Sequence, residues 1–217
     1  MPLKSYASAA LVLLVLVSSC GKGGDFEGRV TMTVARAGAP SSEMVFETAA
    51  GHVRLAMTSA GAGAGGYALV RPDGLAVFVS EADKAWSDLS MAKSRVAMAE
   101  ANPPGTGAPT IKRTGRQEKV ADQSCEVWEI AHTSGKRTEA CIAQNFIGFD
   151  FGSLMPGAGP FAGGTDDVKK EKLFPMRSVE YDAAGKETSR MIVTRVEKTR
   201  IDKARFDVPK DYAYAKK

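Results

Sequence analysis

The residues able to do chemistry in this chain are few and poorly convergent. Among 217 residues there are two histidines, His52 and His132, and three cysteines, Cys20, Cys125 and Cys141. The segment SAGAGAGG holds the spacing Gly61-x-Gly63-x-x-Gly66, which in a dinucleotide site presents backbone N–H groups and a helix N-terminus to a pyrophosphate. That chemistry needs a helix behind the glycines, and Tyr67 onward reads as strand, so the match is a by-product of an alanine- and glycine-rich loop. Asp166-Asp167 pairs two carboxylates, but adjacent residues in a polar loop do not converge on one substrate. There is no Gly-x-Ser-x-Gly elbow, no His-Glu-x-x-His, no phosphate loop and no Cys-x-x-Cys pair. His52 falls on the polar side of a strand pattern, and no ligand spacing links either histidine to the cysteines, so no metal centre is expected. The chain reads as non-enzymatic, without cofactor or metal. Carboxylates scattered along the sequence are the one route to an enzyme left open.

Cys20 stands behind a different kind of segment, LVLLVLVSSCGK. The run from Tyr6 to Val17 is apolar apart from Ser8 and follows one positive charge, Lys4. A membrane-spanning helix needs about 20 apolar residues, and this shorter run suits the apolar region of a secretory signal. Val17-Ser18-Ser19-Cys20 resembles the bacterial lipobox, whose cysteine sulfur receives a diacylglyceryl group before cleavage makes it residue one. The resemblance implies a signal peptide over residues 1–19, lipidation of Cys20, and a flexible lipidated tether over 20–25. It also implies a partner, the lipid bilayer, and a place in the cell envelope. Gly21, rather than an aspartate, implies the outer membrane facing the periplasm where the organism has two membranes. The alternative is an uncleaved signal anchor with an incidental cysteine.

Export would place the two remaining thiols in an oxidising compartment. SCEVWEIAHTSGKRTEACIAQ reads as two strands around His132-Thr133-Ser134-Gly135, setting Cys125 and Cys141 opposite or nearly opposite on one face, within disulfide reach. The alternative is a pair of buried free thiols. Removing residues 1–19 leaves 198 residues with a net charge of 28 − 25 = +3, ample for one domain. Lys112, Arg113 and Arg116 form a small basic cluster without interleaved aromatics, so no nucleic-acid partner is expected.

Strands must position whatever site exists. FEGRVTMTVAR, EMVFET and HVRLAMT alternate apolar and polar residues at period two, the pattern of half-buried antiparallel strands. YALVRPDGLAVFVS is a hairpin turning at Pro72-Asp73-Gly74, and RSVEYDAAGKETSRMIVTRVEK another turning at Ala183 to Lys186. Helix is scarce. Leu89, Ala92, Val96 and Ala99 share one helical face, with Ser87 or Asp88 as cap and Asn102-Pro103-Pro104 as stop. NFIGFDFGSLMPGAGPFAGG needs burial yet is broken by glycine.

FEGRVTMTV, KAWSDL, the cysteine hairpin, LFPMRSVEYD and the closing IDKARFDVPKDYAY together resemble a family of bacterial lipoproteins that carry a domain of unknown function. That family is similar to the periplasmic lipoprotein carriers of the Lol type. The resemblance runs over residues 26–214 as one half-barrel domain. It implies a mainly β (α+β) fold, a curved antiparallel sheet forming an incomplete barrel with a few short helices on its concave side. In the Lol-like relatives that concavity takes acyl chains. On the hairpin Trp128, Ile130, Ala140 and Ile142 share one face, and Cys125, Val127 and Cys141 take the other. An apolar ligand would accordingly be lined by Trp128, Ile130, Phe146, Ile147, Phe149, Phe151, Met155 and Phe161. Two readings follow: a tethered half-barrel holding an acyl chain or other apolar ligand, or a self-filled domain that displays loops to a protein partner.

Overall fold

Period-two alternation builds the long elements. The computed structural model describes residues 26–59, 65–89, 109–147 and 171–215. Strands β1 (Gly28–Arg36), β2 (Ser42–Ala49) and β3 (His52–Ser59) form a meander, with Val30 opposite Phe46 and Phe46 opposite Leu55. These three are buried, as are Met32 and Met44 on the same face. Strands β4 (Gly66–Val70) and β5 (Ala76–Ser80) make the next hairpin. Its turn is closed by Gly74 N–H donating to Arg71 O at 3.0 Å, with Gly74 at φ 90°, a left-handed conformation that glycine adopts without steric cost. Gly66 opens β4, so no helix follows the glycine-rich spacing.

Strand β6 (Ala85–Asp88) follows, and here the structure departs from the sequence reading. Ser87 and Asp88 are strand residues rather than helix caps, because Phe78 and Val77 of β5 pair with them. The body of that candidate helix lies outside the described residues. Strands β7 (Thr110–Val120), β8 (Gln123–Ala131), β9 (Arg137–Ala143), β10 (Phe174–Tyr181) and β11 (Glu187–Lys198) complete the antiparallel run. A 3-10 turn η1 (Lys203–Phe206) and a two-residue strand β12 (Ala213–Tyr214) end it. All twelve strands form one open, curved sheet in the order β12-β6-β5-β4-β3-β2-β1-β11-β10-β9-β8-β7, not closed into a barrel.

The curl is visible in one pair of rings. Phe46 on β2 and Phe174 on β10 are three strands apart in the sheet, roughly 14 Å if it were flat. Their ring centroids lie 5.9 Å apart. The sheet therefore bends toward the Phe46 face, which is concave. Bulges at Thr31/Met32 and Pro175/Arg177, which increase local twist, sit in the strands that bend. Phe146 meets Phe174 at 5.4 Å and Phe26 at 4.8 Å, extending the concave core.

The convex face has its own cover. Residues 199–215 run back across it as a strap. Ile201 and Phe206 pack with Ala49, while Val208 and Tyr212 pack against Tyr67, Leu69, Val77 and Val79. The strap ends as β12, which among the described residues makes the one parallel pairing, beside β6. The sequence reading places short helices on the concave side. Among the described residues, η1 is the one helical element, and it sits on the convex side.

Candidate functional site

Two places among the described residues have the makings of a site, one on each face. On the concave side, Met57 stands opposite Met44, and Phe78 is joined to Leu55 through Ala68, so all share the Phe46 face. Met44 and Leu55 are buried, yet Met57 is 46% exposed and Phe78 43%. The apolar concave face thus runs from a packed core to an exposed end.

The residues expected to line a ligand divide between two clusters. Ile147 is buried in the main concave core, and Phe146, half-buried, packs against it. Trp128 belongs to a separate cluster with Ala140, Ile142 and Leu173, and Ile130 is also buried. Arg113 lies over the Trp128 ring, 4.4 Å from its centroid. Trp128 and Phe146 therefore do not share one surface. Phe149, Phe151, Met155 and Phe161 lie outside the described residues, as do Cys20 and Asp166-Asp167. The ends of that stretch are joined, with Asn145 N–H donating to Glu171 O at 2.9 Å and Phe146 N–H to Lys172 O at 3.1 Å.

Cys125 and Cys141 are linked, with Cα atoms 5.3 Å apart, and both pack in the main core. Cys141 faces Val127 across the ladder, two residues along β8 from Cys125. The bond closes a loop with a sequence separation of 16, a size that contributes about 3 kcal/mol by restricting the unfolded chain. A Cys125→Ala/Cys141→Ala variant is expected to lose about that much in urea unfolding. A midpoint unchanged from that of the oxidised protein would show that the staple contributes nothing.

The convex side carries a charged site that sequence reasoning missed. Glu47 is fully buried, with 0% of its surface exposed. It occupies one rung of the sheet, Glu197–Arg29–Glu47–Arg54, across β11, β1, β2 and β3. Arg29 Nε and Nη2 donate to Glu47 Oε1 at 3.1 and 2.8 Å, and Arg54 Nη1 to Oε2 at 3.4 Å. Arg205 of η1 adds Nε at 2.8 Å and Nη2 at 2.7 Å to Oε2. Burial works against the carboxylate's charge. The guanidiniums of Arg205, Arg29 and Arg54 outweigh it and hold the Glu47 carboxyl below its ordinary value. Asp202 aims η1 by accepting the Ala204 N–H at 3.0 Å. The rung and η1 border a groove of about 590 Å³. The sequence signal was faint: Glu47 alternates with Phe46 and so reads as solvent-facing, and nothing near it announces the strap.

A second ionic knot lies nearer β7. Arg177 donates to Glu139 at 2.9 Å and to Glu118 at 2.8 Å, and Arg116 also reaches Glu139. The basic cluster singled out in the sequence is thereby tied down, with Lys112 on Glu129 and Arg113 on Glu171. Among the described residues no three His, Cys, Asp or Glu side chains are grouped to hold a metal. None of their helices is long and apolar enough to cross a membrane.

A profile of the family described as "Domain of unknown function (DUF4412)" matches residues 26–212. Among solved structures, the chain is similar to an uncharacterized conserved protein from Thermus thermophilus. The two are 12% identical over 87% of this chain and 90% of that one, with a TM-score of 0.51. It is also similar to the Pseudomonas aeruginosa MucA/MucB complex, 14% identical over 85% of this chain and 56% of that one, TM-score 0.47. A third likeness is to an outer membrane lipoprotein-sorting protein domain from Vibrio parahaemolyticus, 11% identical over 86% of this chain and 91% of that one, TM-score 0.22. The chain spans little more than half the length of the MucB chains it matches. At these identities the likenesses concern the fold. No curated protein sequence matches significantly.

Proposed function

We propose that this chain, which belongs to the family described as Domain of unknown function (DUF4412), is a lipid-anchored, non-enzymatic binding protein of the bacterial envelope. Its concave face holds an acyl chain or another apolar ligand, and acylated Cys20 ties it to the bilayer. The observation that carries this reading is the exposed end of the concave face, where Met57 and Phe78 continue the buried surface of Met44 and Leu55. Apolar side chains left open beside a packed core are suited to cover by an apolar ligand. The lipobox-like Val17-Ser18-Ser19-Cys20 supports the anchor. A second reading, a self-filled domain that meets a protein partner, draws on the packing of Phe46, Phe146 and Phe174 within the same concavity.

The anchor is tested first. Cys20→Ser is expected to abolish incorporation of labelled fatty acid and to move the protein from the membrane to the soluble envelope fraction. Retention in the membrane would identify Tyr6–Val17 as an uncleaved anchor. The soluble Cys20→Ser protein is then examined by native mass spectrometry for co-purified lipid and titrated with fatty acids. Saturable binding weakened by Phe78→Asp or Met57→Asp supports the ligand reading, since neither residue is needed in the core. Absence of both adduct and titration assigns the protein to the self-filled reading.

A further inference from the structure

We infer that the convex-face groove beside Arg29 and Arg205 is a binding site for a phosphate group, separate from the apolar face and independent of the reading given above. Its volume, about 590 Å³, is within the range of small-molecule sites. Its walls come from β1, β2, β3 and β11, and the strap contributes Arg205. Four arginines, Arg29, Arg54, Arg195 and Arg205, line it against the carboxylates Glu43, Glu47 and Glu197, a balance of 4 − 3 = +1.

The excess is localised by how the charges pair. Glu47 supplies one negative charge to three guanidiniums, and both of its oxygens are occupied. Arg54 has a second carboxylate within reach, Glu81 at 3.8 Å, and is mostly buried. Arg195 is matched by Glu197 at 2.9 Å. Counting Glu81 brings the sum to zero, so the excess is a local one: Arg29 and Arg205 share Glu47, and their side chains are 39% and 43% exposed. Each spends its Nε and Nη2 edge on Glu47, and neither Nη1 has an acceptor among the described residues.

That arrangement is preorganised for an anion. A buried carboxylate gripping one edge of each planar guanidinium fixes where the other edge points, so little side-chain entropy remains to be lost on binding. Like-charged guanidiniums held around one carboxylate repel each other, and a second anion accepting from a remaining Nη1 relieves that repulsion. Charge-assisted N–H···O bonds to phosphate are the strong class of hydrogen bond. The ligand is a single phosphate group rather than a polyanion, because Glu43 and Glu197 on the same walls would repel a longer run of negative charge.

The shared chemistry has two sources, a free phosphate compound and the headgroup of a phospholipid. The purified protein in non-ionic detergent is titrated calorimetrically with inorganic phosphate and, in parallel, with glycerophosphoglycerol, a water-soluble phospholipid headgroup. Saturable binding of either is expected, weakened at least tenfold by Arg29→Lys, which keeps the charge but loses the fork. Arg195→Glu, on a side chain 69% exposed and tied among the described residues to Glu197 alone, is expected to weaken it by a similar factor with no more than a small shift of the unfolding midpoint. Tighter binding of the headgroup than of phosphate assigns the site to lipid, and the reverse assigns it to a free compound. Absence of binding by both probes overturns the inference. So does binding that is undiminished in Arg195→Glu.

Discussion

Glu47→Ala is expected to lower stability by about 3 kcal/mol, read as a shift of the urea midpoint with the slope unchanged. Breaking a buried ion pair by removing one partner costs roughly 3–5 kcal/mol, because charge is left buried and unmatched. Here the cost sits at the low end, since Arg29 and Arg205 are two-fifths exposed and can turn to water, whereas Arg54 cannot. The loss is also local. Arg205 is the ionic tie between η1 and the sheet, so proteolysis of 199–215 should accelerate before global unfolding. Strap cleavage at the wild-type rate would show that its other ties, Asp207 to Arg71, Tyr214 to Asp88 and the packing of Phe206 and Val208, hold it without Arg205.

The same carboxyl gives a direction for acid. Its value is lowered in the fold, so its contribution is fully present above the ordinary value of 4.5 and is lost as pH falls through the lowered one. Glu139, partly buried and held by Arg177 and Arg116, is lowered too and acts in the same window. Glu47→Gln should therefore flatten the acid limb of the stability profile below pH 4.5 without abolishing it. An unchanged limb would mean that Glu47 does not couple to folding.

Phe174→Ala is expected to cost about 3–5 kcal/mol, the usual range for truncating a buried aromatic. Phe174 is fully buried and stacks edge-on with both Phe46 and Phe146, so its ring joins β2, β10 and the chain beyond β9. Because these contacts hold the two limbs of the curl together, the variant should also expose apolar surface and bind a hydrophobic dye. Phe78→Ala, on the exposed end of the same face, should cost less than about 1 kcal/mol. Equal losses at the two positions would contradict the division of the concave face into packed and open ends.

Much of the strand content was legible because its signals are local. Alternation in FEGRVTMTVAR decides which side chains of β1 go inward, and the turns at Pro72-Asp73-Gly74 and Ala183 to Lys186 declare themselves through φ preferences. Ser87 and Asp88 were misread, since a cap motif was weighed without the pairing that β5 imposes on them. The expected ligand lining also exceeded what periodicity conveys. Alternation shows that Trp128 and Cys125 take opposite faces, but not which of those faces Phe146 joins.

Local patterns in the sequence suffice for β1 to β5 and β8 to β11, for their turns and inward faces, and for two cysteines near enough to meet, because each depends on a few neighbouring residues. The curl that brings Phe46 within 5.9 Å of Phe174, and the return of residues 199–215 over the convex face, emerge in three dimensions alone. Both are long-range, set by bulges and by packing between segments far apart in the chain. Glu47 shows the difference most plainly. Its strand neighbours predict a solvated glutamate, and Arg205, 158 residues away, makes it the buried centre of an ionic knot. A hydrophobic pattern records which face of a strand is apolar, but it cannot record that a distant strap will cover the polar one.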